Sequence, residues 1–458
     1  MATFTVKEVE QATGARLLAP VTGGNRTFLQ VYTDTRSLQK GGLFVALKGE
    51  RFDGHDFVLQ AVAKGAAGVV VAAREETFAA LPVPVFAVPD TLRAYQALAR
   101  FHRRRFALPV IAVTGSVGKT STRQMIASVL SQKLRVWQTE KNFNNEIGLP
   151  KTLLGLTAEH EACVVEMGMR GPGQIAELAA IAEPTIGVVT NVGKSHIELL
   201  GSQENIAKAK GELPAALPAT GTAVLNQDDW RVAAMAKLCR GKVIGYGTSV
   251  GAAVRAGEIQ TDDKGLSFIC RCFDQTFRAT VPVLGKHHVY NALAAVATAR
   301  LLGLSETQMC KGLAAYAGVP MREELVHVGP YTFINDAYNA NPASMEEAVQ
   351  TLAAVKKEQK IAVLGGMLEL GDWTVREHEL LGKKIAAASI TALITLGTPA
   401  SYIAEAAEKA GMKAVYRVSD HQAGASVLRD LLEPGAVVLL KGSRGFTMEK
   451  ILTYFEGM

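Results

Sequence analysis

Aromatic residues are scarce in this chain, 6% of 458, and none interleaves with a basic tract. The arginine run Arg103–Arg105 reads as a solvated helix face. A nucleic-acid partner is therefore not expected. The net charge of +6 is spread along the chain, a balance that suits a polyanionic small substrate. Cysteine is also sparse. The five cysteines are irregularly spaced and include no CxxC pair, which excludes a disulfide framework and a zinc ribbon and points to reduced thiols. No apolar run approaches the ~18 residues that span a bilayer, and the opening MATFTVKEVEQATG lacks a signal-peptide pattern. A cytoplasmic protein without a membrane span is expected. Aspartate is missing between Lys119 and Asp228, and there is no Asn-Lys-x-Asp tetrapeptide. The first absence removes the usual second magnesium ligand of a phosphate-binding-loop protein; both argue against a GTPase.

What the chain does contain is VIAVTGSVGKTST, Val110 to Thr122. Val110–Val113 has the apolar pattern of a buried strand. Thr114-Gly115-Ser116-Val117-Gly118-Lys119-Thr120-Ser121 follows, and Gln124–Leu130 is helix-compatible. Strand, glycine turn, Lys-Thr and helix form a phosphate-binding loop. Backbone N–H groups at the helix start attract an anion, Lys119 reaches the outer phosphates, and the Thr120 hydroxyl suits Mg²⁺. Val113 stands where the general pattern has its first glycine.

Length predicts roughly three domains. The pattern predicts a small α/β unit over 1–85, a central phosphate-loop domain with a mostly parallel sheet over 86–318, and a Rossmann-like α/β unit over 319–458. In the first, Leu43–Ala46, Gly68–Ala72 and Val83–Val88 read as strands. Val110–Val113, Ala162–Val165 and Ile186–Thr190 read as central strands, and Val254–Val283 alternates like a hairpin around Asp-Lys-Gly at 263–265. Phe333–Ile334, Ile361–Leu364, Ala392–Leu396, Ala414–Val418 and Val437–Leu440 read as strands of the last unit.

Glu166 ends an apolar strand, where a carboxylate can serve a ligand edge. His196 follows the next strand end, in Asn191-Val192-Gly193-Lys194-Ser195-His196, and suits a metal or substrate. Lys210 reads by default as a solvated helix lysine. The adjacent His287 and His288 are expected to diverge, which makes them a poor metal clamp. The amide-rich run from Thr139 to Glu146 is either a polar turn or a contact for a polar substrate.

Taken together, TGSVGKTST, the Glu166 strand end, Asn191 to His196 and KNFNNEIGLP (141–150) resemble the Mur ligases, ATP-dependent amide-forming enzymes of bacterial wall-precursor synthesis. DTRSLQKGGLFVALKGERFDGHDF (34–57), DAYNANP (336–342) and LKGSRGFTME (440–449) resemble the members that add D-alanyl-D-alanine to UDP-N-acetylmuramoyl-tripeptide. The last two motifs argue against the sister ligase that adds the third residue and against a folylpolyglutamate synthase. The resemblance implies ATP, one or two Mg²⁺ ions and a monomer. It implies catalytic roles for Lys119, Glu166, His196 and Lys210, the last as a carbamylated lysine, with Thr120, Glu166 and His196 as metal ligands. Asn291, Arg322 and Asp336 resemble ATP contacts. Asp34, Arg36, Ser37, Lys48, Asn142, Asn144 and Asn145 resemble contacts to the UDP substrate, and Asn339, Asn341, Lys441 and Ser443 contacts to the dipeptide. Two positions depart from the family pattern: His288 stands for Asn, and Gly366 for Asp.

Overall fold

Central parallel strands of this chain are continuous apolar runs because both of their faces are covered. All five residues of Val110–Thr114, Ala162–Glu166 and Val437–Lys441 are buried. The structure is a computed structural model and describes residues 2–18, 26–72, 76–195, 197–262 and 264–457. Two compact units interleave in sequence. The first takes 1–112, 134–168 and 174–185; the second takes 113–133, 169–173 and 186–458.

The first unit holds a five-stranded sheet in the order Arg16–Leu17, Val85–Val88, Gly68–Ala72, Leu43–Val45, Val31–Tyr32. Its last four strands are parallel and its first is an antiparallel edge. The sheet therefore runs to Val88, past the expected limit at 85. Phe44, Val69, Val71 and Val85 form part of its core, and Phe28 meets Phe86 edge-on at 5.7 Å. The helix Thr91–Arg103 is capped by Asp90 and buries Ala94, Leu98 and Ala99 on one stripe. In the same unit Val136–Gln138 pairs in parallel with Ala162–Glu166.

In the second unit, Ile186–Val189, Thr222–Asn226, Lys242–Gly247 and Val254–Asp262 are parallel neighbours. Antiparallel strands Gly265–Cys272 and Gln275–Val281 complete the series. The expected hairpin is thus a three-stranded meander. Its second turn has no glycine; Phe273 adopts φ +55° instead. Asp263, in the first turn, lies outside the described residues. A six-stranded sheet runs in the order Glu324–Val328, Tyr331–Asp336, Val437–Lys441, Lys360–Gly365, Ala392–Leu396, Val415–Val418. Only its Glu324–Val328 edge is antiparallel. Phe333, Val363, Ile394 and Val438 sit in its core.

Candidate functional site

The glycine turn of the second unit starts at Gly115, one residue past the strand, and Gly118 caps the helix Lys119–Leu130. Gly115 has φ +152°, and a Cβ there would stand 1.8 Å from Thr190 Oγ1. No other residue fits that approach. Gly118 has φ +79°. Val113 is a fully buried strand residue, so the general pattern's first glycine has no turn to make here.

The turn is held by the end of the next strand. Thr190 Oγ1 donates to the Val117 carbonyl at 2.6 Å. Asn191 Oδ1 accepts from the Val117 N–H at 2.9 Å, and the Asn191 carbonyl accepts from the Ser116 N–H at 3.0 Å. Asn191, noticed in the sequence only as part of a motif, is the brace of the loop. Lys119 Nζ folds over it and donates to the Gly115 carbonyl at 2.8 Å. Thr120 and Ser121 are buried in the first helical turn.

Lys210 is not the solvated lysine its helix position suggests, for it is 3% exposed. Burial, then repulsion by Lys119, holds its amine well below the usual lysine range. His196 lies outside the described residues.

Adjacent histidines were expected to diverge, and here they converge. His287 Nε2 and His288 Nε2 lie 2.9 and 3.1 Å from Glu323 Oε2. His287 is already helical in backbone at the start of His288–Leu301, and Glu323 comes from a separate segment to meet both rings. Gly285 makes room, since a Cβ there would stand 2.5 Å from the His287 ring. Burial disfavours charge on His287, but the charge and hydrogen bond of Glu323 overcome it and raise the imidazole to about 9. Burial disfavours charge on Glu323 too, yet His287 and His288 keep it well below the usual carboxylate range. Glu323 carried no sequence signal.

Asn291 Oδ1 accepts from Thr122 Oγ1 at 2.9 Å. The Arg322 guanidinium lies 4.1 Å over the Tyr338 ring, and Tyr338 is a contributor that the motif reading passed over. Asp336 and Lys441, expected to serve different substrates, pair with each other at 2.5 Å, and Lys441 also donates to the Asn339 carbonyl. Asn341 caps the helix Pro342–Ala354. Ser443 donates to the Ala340 carbonyl and accepts from the Leu368 N–H. Asn339 Oδ1 accepts from the Ala340 N–H. These side chains build the DAYNANP turn as well as facing it.

At Gly366, a Cβ would stand 2.8 Å from Pro399 Cβ and 3.1 Å from the Phe446 ring. Gly365 and Gly397 meet the same ring at similar distance. Pro399 and the Phe446 ring together crowd the space an acid at 366 would need.

In the first unit, Glu166 is 2% exposed and accepts from Asn144 Nδ2 at 2.7 Å. Its N–H donates to Thr139 Oγ1. Asn144 is pinned further by Gly168, whose N–H donates to the Asn144 carbonyl. The Asn142 carbonyl accepts from the Asn144 N–H, and Asn145 Oδ1 accepts from the Gly148 N–H at the start of a helix. Asp34 holds Arg36 through two side-chain nitrogens and accepts from its N–H, while Ser37 Oγ donates to the Asp34 carbonyl. Hydrogen bonds from Arg36 keep the Asp34 carboxyl below its ordinary value, with a smaller contribution from Lys151. Lys151 lies 4.6 Å over the Phe143 ring. The exposed Lys48 stands 3.8 Å from Asp53.

A braced glycine turn at a strand's carboxyl edge, with Lys-Thr at the helix start, defines a nucleotide-phosphate-binding α/β protein. Three family models match in chain order: the Mur ligase family catalytic domain over 28–103, the Mur ligase middle domain over 113–299, and the Mur ligase glutamate ligase domain over 321–444. The chain belongs to the Mur ligase family and has its three-domain α/β architecture. It is 40% identical over 424 residues to the UDP-N-acetylmuramoyl-tripeptide–D-alanyl-D-alanine ligase of Synechocystis, covering 92% of this chain and 91% of that one. It is 39% identical to the ligase of the same name from Bacillus subtilis, over 92% of each chain. The structure superposes on MurF from Acinetobacter baumannii with TM-score 0.91 at 30% identity, each chain covered fully. It superposes on MurF from Thermotoga maritima in complex with ADP with TM-score 0.85 at 28% identity, over 93% of this chain and 97% of that one.

Proposed function

We propose that the chain is an ATP-dependent ligase that joins D-alanyl-D-alanine to UDP-N-acetylmuramoyl-tripeptide, in cytoplasmic synthesis of peptidoglycan precursors and as a monomer. The observation that carries this is full-length likeness to ligases of that one activity, together with the braced phosphate loop of residues 114–121.

A carboxylate is a poor electrophile at neutral pH. The substrate carboxylate therefore attacks the γ-phosphorus of ATP, giving an acyl phosphate and ADP. The dipeptide amine then adds to the acyl carbon, loses a proton, and the tetrahedral intermediate expels phosphate to leave the amide. Loop N–H groups and Lys119 hold the phosphates, and Lys119 faces the charge that develops on the transferred group. Asn291, Arg322 and Asp336 hold the rest of the nucleotide. Asp34, Arg36, Ser37 and Lys48 receive the uridine end, Asn142, Asn144 and Asn145 the sugar–peptide portion, and Asn339, Asn341, Lys441 and Ser443 the dipeptide.

Thr120 and Glu166 each offer the hard oxygen donor that Mg²⁺ takes, and His196 is the third ligand that the family resemblance implies. Mg²⁺ would supply positive charge to the phosphate oxygens. Lys210 fits a carbamate, because burial and Lys119 both disfavour a second cation there, and a carbamate would put an anion in the field of Lys119.

The test is phosphate release from ATP with UDP-N-acetylmuramoyl-tripeptide and a panel of amines. Release is expected with D-alanyl-D-alanine and to be lost when any one substrate is omitted. Equal release with diaminopimelate or glutamate as the amine would overturn the assignment.

A further inference from the structure

We propose that His288 is a positioning residue that ties Asn291 to Glu323, so that the amide at 291 and the guanidinium at 322 take their places for ATP together. The inference rests on the assignment of Asn291 and Arg322 to the nucleotide.

The hydrogen bonds fix the direction of the chain. Asn291 Oδ1 accepts from Thr122 Oγ1, so the amide nitrogen of Asn291 faces the other way. That nitrogen lies 3.1 Å from His288 Nδ1. It can only donate, so Nδ1 carries no proton and the His288 proton sits on Nε2. Nε2–H in turn points at Glu323 Oε2, 3.1 Å away. Thr122, Asn291, His288 and Glu323 thus form one polar line from the helix behind the phosphate loop to the neighbour of Arg322. His288 and Glu323 side chains are almost fully enclosed, 4% and 6% exposed, where such bonds orient their partners firmly.

The Glu323 end needs that support. Met321 has φ +59° and Glu323 φ +52°, so Arg322 sits between two residues in the left-handed region. Such a turn persists when its surroundings over-determine it. Two imidazoles on one carboxylate oxygen do so here. At the other end Asn291 Oδ1 lies close against Gly118, where a Cβ would stand 3.0 Å from it. A turned amide at 291 would present a different face to the loop.

His288→Asn and His288→Gln divide the line. Asn retains an acceptor for Asn291 and is too short for Glu323. Gln retains a donor that reaches Glu323 and loses the acceptor at the Nδ1 position. Initial rates with ATP varied are expected to show KM for ATP raised about tenfold in each, with kcat within about twofold, the pattern of lost binding alone. His288→Gln combined with Asn291→Ala is expected to match Asn291→Ala alone. In the wild-type protein, ¹⁵N-histidine spectra are expected to place the His288 proton on Nε2. A wild-type KM in either single variant, or a proton on Nδ1, would overturn the inference while leaving the ATP assignment intact. A wild-type KM in Asn291→Ala would overturn the ATP assignment at that residue, and this inference with it.

Discussion

Lys441 Nζ lies 2.5 Å from Asp336 Oδ2, on residues that stand opposite each other in neighbouring parallel strands. The lysine is 2% exposed and the aspartate 13%. Burial drives the Asp336 carboxyl up, against the pull of Lys441. A pair of this kind contributes little net stability, yet losing one partner leaves a buried charge alone. Lys441→Met is expected to destabilise by about 3–5 kcal/mol, and adding Asp336→Asn to recover most of that. Urea unfolding of the two variants decides the point, and a double variant no more stable than the single would contradict it.

Lys119→Ala removes the cation that folds over the phosphate loop. Turnover is expected to fall by about 10²-fold or more, by the size of effect seen when one oxyanion donor is lost. The melting temperature should stay close to the parent's. Near-parental turnover under saturating ATP would sink the mechanism.

Lys210 is a buried amine whose charged form is disfavoured by burial and by Lys119. Lys210→Met should fold as well as the parent, since it replaces a buried amine with an apolar chain of similar length. Its phosphate release should be at background. In the parent, degassed, bicarbonate-free buffer should lower activity and added bicarbonate restore it. Activity indifferent to bicarbonate would count against the carbamate.

The His287–Glu323 pair makes stability depend on pH from both sides. His287 is raised to about 9 from an ordinary 6.5, so its contribution is complete below 6.5 and lost as pH climbs through about 9. Glu323 is depressed from an ordinary 4.5, so its contribution is complete above that value and lost on further acidification. The stability gap between the parent and His287→Gln should be widest from about pH 4.5 to 6.5 and narrow on both flanks. Unfolding free energies across pH 4–9.5 measure it; a gap that widens above pH 7 would refute the pairing.

The parallel strands were legible because burial on both faces leaves unbroken apolar runs, and Gly68–Ala72 and Ala392–Leu396 fall where the sequence puts them. The phosphate loop was legible because glycine and lysine have few other uses at such spacing. Contacts made across long sequence distance were not. Thr190 and Asn191 brace the loop from some seventy residues away, and ordinary polar residues carry no mark of that duty. Glu323 gave no signal because its role comes from meeting two rings. The histidines misled because side-chain direction was argued from their own helix, without the carboxylate that draws both. Asn341, expected at the dipeptide, also starts a helix because Asn stands before Pro, and a short motif shows nothing of that cap.

Phe446 rests against three glycines, at 365, 366 and 397. A first side-chain carbon at the middle one would stand 2.8 Å from Pro399 Cβ and 3.1 Å from the Phe446 ring, so any side chain there needs both neighbours to give. An acid restored at 366 by a single change would collide with the ring and with Pro399; paired with a slimmer residue at 446 it would meet the proline alone. The place where a carboxylate would begin is thus walled on one side by a proline and on the other by an aromatic ring.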